Sequence, residues 1–290
     1  MNKYEIYPKV MLYQNVIENV DEIYNIIKES HNENSLLKWE DWDPMGLISK
    51  THLDLIKNDI IVFEQNKKEK MAIEHLYYVY SKLFDDYAKD WSGVGEWPSY
   101  IGKWDLDEWI ISEISFLKHE PHPEWTMAMN YHTDTHSWNK DARAKNFIAT
   151  ITMYLNDDYV GGEISFLDES TNNLIKYKPK AGDVTIFPSG HPYFHGVYSA
   201  KDNNRYAVRM FYMHSYEGSK DWLDNEKLYG KDIWEQMEKE RANKEFNSGK
   251  WHRYVCLPGE TPDINQTAVM VNINKEIIFK TPDKENKKHE

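Results

Sequence analysis

The sequence predicts a mainly β protein, a double-sheet jelly roll with supporting N-terminal α-helices. Three observations predict it. Residues 147–214 break into short β-branched and aromatic runs about ten residues apart. Gly, Pro, Asn or Asp separates each run from the next, and closely spaced strands of this kind pair non-locally in a sandwich or roll. The first hundred residues carry the three-and-four spacing of amphipathic helices instead.

Taken in order, Asn19–Glu29 places Val20, Ile23, Ile26 and Ile27 on one helical stripe. Trp39–Gly46 (WEDWDPMG) reads as loop. A second helix is predicted over about Lys70–Lys89, burying Ile73, Leu76, Tyr77, Tyr80, Leu83, Phe84 and Tyr87. Trp91–Gly102, with three glycines, a proline and two serines, marks a break in organisation. Strands follow at Phe147–Asn156, Glu163–Leu167, Asn173–Pro179, Asp183–Pro188, His195–Ala200 and Arg205–His214. Lys220–Glu245 reads as a solvated helix, and Lys280–Glu290 as a disordered tail. The expected organisation is a mainly helical support region over 1–100, a jelly-roll core over 101–215 and a polar helical extension over 216–290.

The chain has 290 residues and 34.6 kDa, with 35 basic and 48 acidic side chains, a formal charge of −13. That charge repels a phosphate backbone, so nucleic acid is disfavoured as a partner. An apolar fraction of 40% supports a sizeable core, and no run approaches 18 apolar residues, so no membrane helix is expected. Cys256 is the single cysteine, which excludes an internal disulfide, and the N-terminus lacks a secretory h-region. A cytoplasmic location is expected.

His132 and Asp134 form an H-x-D pair. On an extended chain, residues two apart project to one face, so imidazole and carboxylate can converge on one ion. A third ligand must come from a distant strand, and His195 is the best candidate, ahead of His136 and His191. Two histidines and one carboxylate with open positions suit a non-haem Fe(II) centre.

Further motifs follow in a fixed order: Tyr154–Asn156 (YLN), Gly161–Gly162 to Phe166, Gly182–Asp183 to Phe187, His195–Val197, and Arg205–Tyr206 ten residues on. As an ordered set they resemble the 2-oxoglutarate- and Fe(II)-dependent dioxygenases, whose core is a double-stranded β-helix, and within them the prolyl-4-hydroxylase-like branch. The resemblance spans roughly residues 115–214. It implies Fe(II) held by His132, Asp134 and His195, with 2-oxoglutarate and O2 as cosubstrates. Arg205 would pair its fork with the distal carboxylate of 2-oxoglutarate, and Tyr154 could donate its phenol there. Arg209, four residues further, is the rival clamp, and Gly161–Gly162 reads as a tight turn.

The resemblance further implies hydroxylation of a peptidyl prolyl or related residue, coupled to conversion of 2-oxoglutarate and O2 into succinate and CO2. Trp125, Tyr131, Trp138, Tyr193, Phe194 and Tyr198 could contact a peptide or fill the core, and Thr135–Lys145 is expected to form a lid. Three alternatives stand beside this: hydroxylation of a small molecule such as a free amino acid, a cupin-like metal enzyme without 2-oxoglutarate, and a non-catalytic binding jelly roll.

Overall fold

A computed structural model describes residues 1–29, 40–43, 47–51, 67–91, 109–111, 114–124, 126–134, 147–190, 192–214, 220–247, 254–256 and 268–281. The strands are β1 (Asn2–Tyr7), β2 (Val10–Gln14), β3 (Glu40–Asp43), β4 (Leu47–Thr51), β5 (Trp109–Ile111), β6 (Ser115–His119), β7 (Met127–His132) and β8 (Phe147–Tyr154). They continue with β9 (Ile164–Asp168), β10 (Asn173–Tyr177), β11 (Val184–Pro188), β12 (His195–Tyr198) and β13 (Arg205–His214). The last three are β14 (Tyr254–Cys256), β15 (Ala268–Met270) and β16 (Lys275–Ile278). Helices α1 (Val20–Glu29) and α2 (Lys67–Trp91) precede the roll; α3 (Lys220–Tyr229) and α4 (Lys231–Asn247) follow it.

Two sheets form. The larger runs β1-β2-β11-β8-β13-β6-β4-β3, with β5 paired to the far end of β13; the smaller runs β15-β14-β7-β12-β9-β10-β16. From β6 to β13, consecutive strands alternate between sheets except for the β9–β10 hairpin, which is the winding of a jelly roll.

Alternation along the strands sorts side chains into three layers. Ile151 and Met153 on β8, Val184 and Ile186 on β11, and Val208, Met210 and Tyr212 on β13 face outward against the helices. There α2 lays down Ile73, Leu76, Tyr80, Leu83, Phe84 and Tyr87, the predicted stripe, with Tyr77 packed at its margin. Each such burial contributes roughly 1.5–3 kcal/mol. Tyr80 donates its hydroxyl to the Val208 carbonyl at 2.7 Å, and Phe84 stacks on Tyr212 with ring centroids 3.5 Å apart. The opposite faces of the same strands meet the smaller sheet through Tyr154, Phe187, Ala207, Ile164, Phe166 and Ile175. A third cluster, Met127, Tyr131, Leu167, Leu174 and Phe194, lies outside the smaller sheet beneath Val271 and Ile273.

The structure corrects the reading of Trp39–Gly46 as loop. Glu40–Asp43 is strand β3, and it pairs antiparallel with β4, which in turn pairs β6. Among the described residues β3 pairs only with β4, so it stands at the margin of the sheet. The N-terminus also contributes strands not foreseen: β1 and β2 form a hairpin whose second strand pairs β11. Its turn needs Lys9 at φ 67°, and the Tyr87 hydroxyl on α2 holds the Lys9 carbonyl at 2.9 Å. Helix α1 and the helical reading of Lys220–Glu245 fall where expected, the latter as two helices. No described helix is long and apolar enough to cross a membrane. Trp125, His136, Trp138, His191, the loop Thr135–Lys145, residues 92–102, the Ile27 side chain and the tail from Pro282 lie outside the described residues.

Candidate active site

β7 and β12 are antiparallel neighbours in the smaller sheet, and their register sets His195 directly opposite His132. The two rings lie 4.5 Å apart between centroids. Asp134 follows β7 by two residues, so its carboxylate returns to the same face. His132 Nε2 is 3.5 Å from Asp134 Oδ1, and His195 Nε2 is 3.4 Å from Oδ2. All three residues are buried, and one ligand atom from each lies within 4.8 Å of the others.

The donor set fits a divalent metal. Each histidine turns Nδ1 to a backbone carbonyl, His132 to Asn130 at 2.7 Å and His195 to Tyr193 at 3.2 Å. A carbonyl only accepts, so Nδ1 carries a proton in both rings and Nε2 is the atom each ring turns toward Asp134. Burial pushes His195 down to about 4, although Asp134 pulls the other way, so the ring is neutral near pH 7. Burial opposes ionisation of Asp134, but His195, His132 and Arg209 outweigh it and hold the carboxyl below its usual range. Two imidazoles and one anionic carboxylate are the donors an Fe(II) site with open positions uses.

Asp134 is oriented from the larger sheet. Thr150 on β8 donates to Asp134 Oδ2 at 2.6 Å and meets Ser189 at 2.8 Å. Phe187 packs its ring 4.6 Å from His195. Thr150 was legible in principle: in Phe147–Tyr154, the polar Thr150 and Thr152 alternate with the apolar Ala149, Ile151 and Met153.

Arg205 opens β13 and is 2% exposed. Its guanidinium sits 5.1 Å from the Tyr154 ring centre, and Nη1 approaches His119 Nδ1 at 3.4 Å. Among the described residues it has no carboxylate partner, and its Nε is buried without a hydrogen bond. A buried guanidinium so placed calls for an anionic ligand. Asn156, the last residue of the YLN motif, clips the backbone on both sides of Arg205. It accepts from the Tyr206 amide at 2.8 Å and donates to the Asn204 carbonyl at 2.8 Å. Tyr154 itself shares its hydroxyl with Thr185 at 2.9 Å. Arg209 lies half-buried over the Phe211 ring, and its charge reaches Asp134 and His195.

The surroundings of Arg205 include residues not singled out from sequence. Tyr159 is buried beside the guanidinium, and Lys178 holds its ammonium 3.5 Å from the Tyr159 ring centre. Burial, helped by the like charge of Arg205, pushes Lys178 down to about 8. Gly161 and Gly162 take positive φ of 76° and 70°, and Gly161, read from sequence as part of a tight turn, pairs Ala200 in an antiparallel bridge. Gly162 also allows a close approach: a Cβ there would stand 2.5 Å from the Tyr159 ring and 3.1 Å from Arg205 Cδ. Gly162→Ala is therefore expected to displace both side chains on top of about 1–2 kcal/mol of left-handed backbone strain. Its signature would be a lowered Tm, read by thermal melt.

The aromatic candidates divide. Tyr131 and Phe194 are core residues, with the Tyr131 hydroxyl bonded to Ser165 at 2.6 Å. Tyr193 and Tyr198 are half-buried, the first edge-on to Tyr7 and the second under the Lys176 ammonium at 4.0 Å.

Part of this chain is similar to known proteins. No curated protein matches the sequence. Similar solved structures include a prolyl hydroxylase from Trichoplax adhaerens in complex with a hypoxia inducible factor oxygen degradation domain peptide fragment (TM-score 0.48, 16% identity, 72% of this chain and 85% of that one). A prolyl-4-hydroxylase from Pseudomonas putida is similar over 71% and 92% (TM-score 0.47, 15% identity). A rice dioxygenase for auxin oxidation is similar over 71% and 73% (TM-score 0.48, 12% identity). Residues 124–213, which carry the triad and Arg205, match the 2OG-Fe(II) oxygenase superfamily. Over those residues the chain is similar to the 2OG-Fe(II) oxygenases, a superfamily that works with Fe(II), 2-oxoglutarate and O2.

Proposed function

We propose that the protein is a 2-oxoglutarate-dependent hydroxylase in which His132, Asp134 and His195 hold Fe(II) and Arg205 holds the distal carboxylate of 2-oxoglutarate. The observation that carries this reading is the pairing of a buried His-Asp-His donor set with a buried guanidinium that lacks a carboxylate partner among the described residues. Iron, when bound, supplies the redox chemistry that couples decarboxylation of 2-oxoglutarate to oxidation of substrate. The chain's own groups do the positioning. The backbone carbonyls of Asn130 and Tyr193 fix both imidazole tautomers, Thr150 orients Asp134, and Asn156 sets the strand that presents Arg205.

For substrate, we propose a peptidyl prolyl or related residue, supported by the ordered motifs that resemble the prolyl-4-hydroxylase-like branch. A second reading, a small molecule such as a free amino acid, is favoured by the placement of Tyr131 and Phe194 in the core, where they cannot grip a peptide.

The test is anaerobic reconstitution with Fe(II) and 2-oxoglutarate. A weak absorption near the green, followed by succinate on exposure to O2, is expected, and the band should vanish in His195→Ala. Incubation with proline-containing peptides and with free amino acids then separates the two substrate readings by which gains one oxygen atom. Full iron occupancy without the band would overturn the role given to Arg205.

A further inference from the structure

Beside Arg205 lies a polar group that neither the metal site nor the packing employs. His119 ends β6, and the β6–β13 register sets it directly opposite Arg205. It is 2% exposed, and its Nε2 is buried without a hydrogen-bond partner among the described residues. A buried ring nitrogen left unpaired is unfavourable, and native folds seldom tolerate one without a role.

The ring's protonation follows from its neighbour. Arg205 Nη1, 3.4 Å from His119 Nδ1, can only donate, so Nδ1 must accept. Burial, with the positive charges of Arg205 and Arg209, keeps the imidazole neutral. Its single proton therefore sits on Nε2, as an N–H donor. The residue that defines the pocket thus fixes a second, uncharged donor beside its own fork.

We propose that His119 is a second binding group for the distal carboxylate of 2-oxoglutarate, donating from Nε2–H next to Arg205. This rests on the reading of Arg205 as the carboxylate clamp. A carboxylate has about four lone-pair sites, so one held by the guanidinium fork keeps capacity for a further donor. The orphaned Nε2 gains a partner only when the ligand is bound. His119 then serves selectivity: it rewards a 2-oxo acid with a terminal carboxylate and is indifferent to one without.

The experiment measures binding by calorimetry on the full chain loaded anaerobically with Fe(II), with circular dichroism to check each fold. Two ligands are compared, 2-oxoglutarate and 2-oxopentanoate, which has the same carbon chain but no distal carboxylate. His119→Leu is expected to weaken 2-oxoglutarate about 10- to 100-fold, the usual effect of losing a hydrogen bond to a charged group, and to leave 2-oxopentanoate unchanged. His119→Gln can place an amide N–H near the Nε2 position and should restore most of the affinity. His119→Asn can accept from Arg205 but does not reach as far, and should not. Unchanged 2-oxoglutarate binding in His119→Leu, or equal losses for both ligands, overturns the proposal. Rescue by Asn and not Gln overturns it too, because His119 would then act only by positioning Arg205. Absence of 2-oxoglutarate binding to the unaltered chain is the distinct result that removes the clamp reading itself.

Discussion

Arg205→Leu is expected to abolish useful 2-oxoglutarate binding while leaving the ligand-free protein at least as stable as before. The guanidinium is buried with no carboxylate partner among the described residues, so in the free protein its desolvation is poorly compensated. An apolar side chain of similar reach removes that cost. In the complex the sign reverses, because the ligand's carboxylate enters a dry pocket and loses its charged partner. Breaking a buried pair in this way costs about 3–5 kcal/mol, roughly a hundred- to several-thousand-fold in Kd. Arg205→Lys keeps the charge but not the fork and should fall between. Thermal melts with and without saturating 2-oxoglutarate read both signs at once: an unchanged or higher Tm without ligand, and no upward shift with it. A clear fall in the ligand-free Tm would mean that Arg205 is a structural residue.

Asp134→Ala should have the other large effect, on the metal. Asp134 supplies the one negative charge of the triad, and it is the group that both imidazoles and Thr150 face. Without it two neutral nitrogens remain, a donor set with no charge to offset that of a divalent ion. The loss should exceed the roughly 10- to 100-fold that changes behind a metal ligand produce, whereas Thr150→Val, which only frees Asp134 to rotate, should fall inside that range. Iron retained after anaerobic dialysis is the measure. Iron retained stoichiometrically by Asp134→Ala would show that the carboxylate is not a ligand.

The roll was readable in the sequence where its strands alternate or are bounded by turns, as Phe147–Tyr154 and Arg205–His214 are. Helix α2 was readable because one face is buried and the other is wet. β2 gave no such signal: Val10, Met11, Leu12 and Tyr13 are all buried, two facing the helices and two the other sheet, so no period marks it. β16 fails the opposite way, since all four residues are exposed and only backbone pairing to β10 makes it a strand. Within the site, an ordered spacing exposed His132, Asp134, His195 and Arg205 as candidates. His119 carries no local mark. Its place depends on a strand register that joins residues 86 apart, which no window of sequence displays.

The pairing of β2 with β11 has a consequence for how the chain is made. Leu12 lies opposite Thr185, and the difference 185 − 12 places 173 residues of synthesis between the partners. At about 5–20 residues per second, the N-terminal hairpin leaves the ribosome roughly 10–35 s before its sheet exists. Through that interval Val10 and Leu12 are without the opposing sheet that buries them, on a strand whose second edge is unpaired. Until β11 is made, this open apolar strand is the kind of segment a holdase binds.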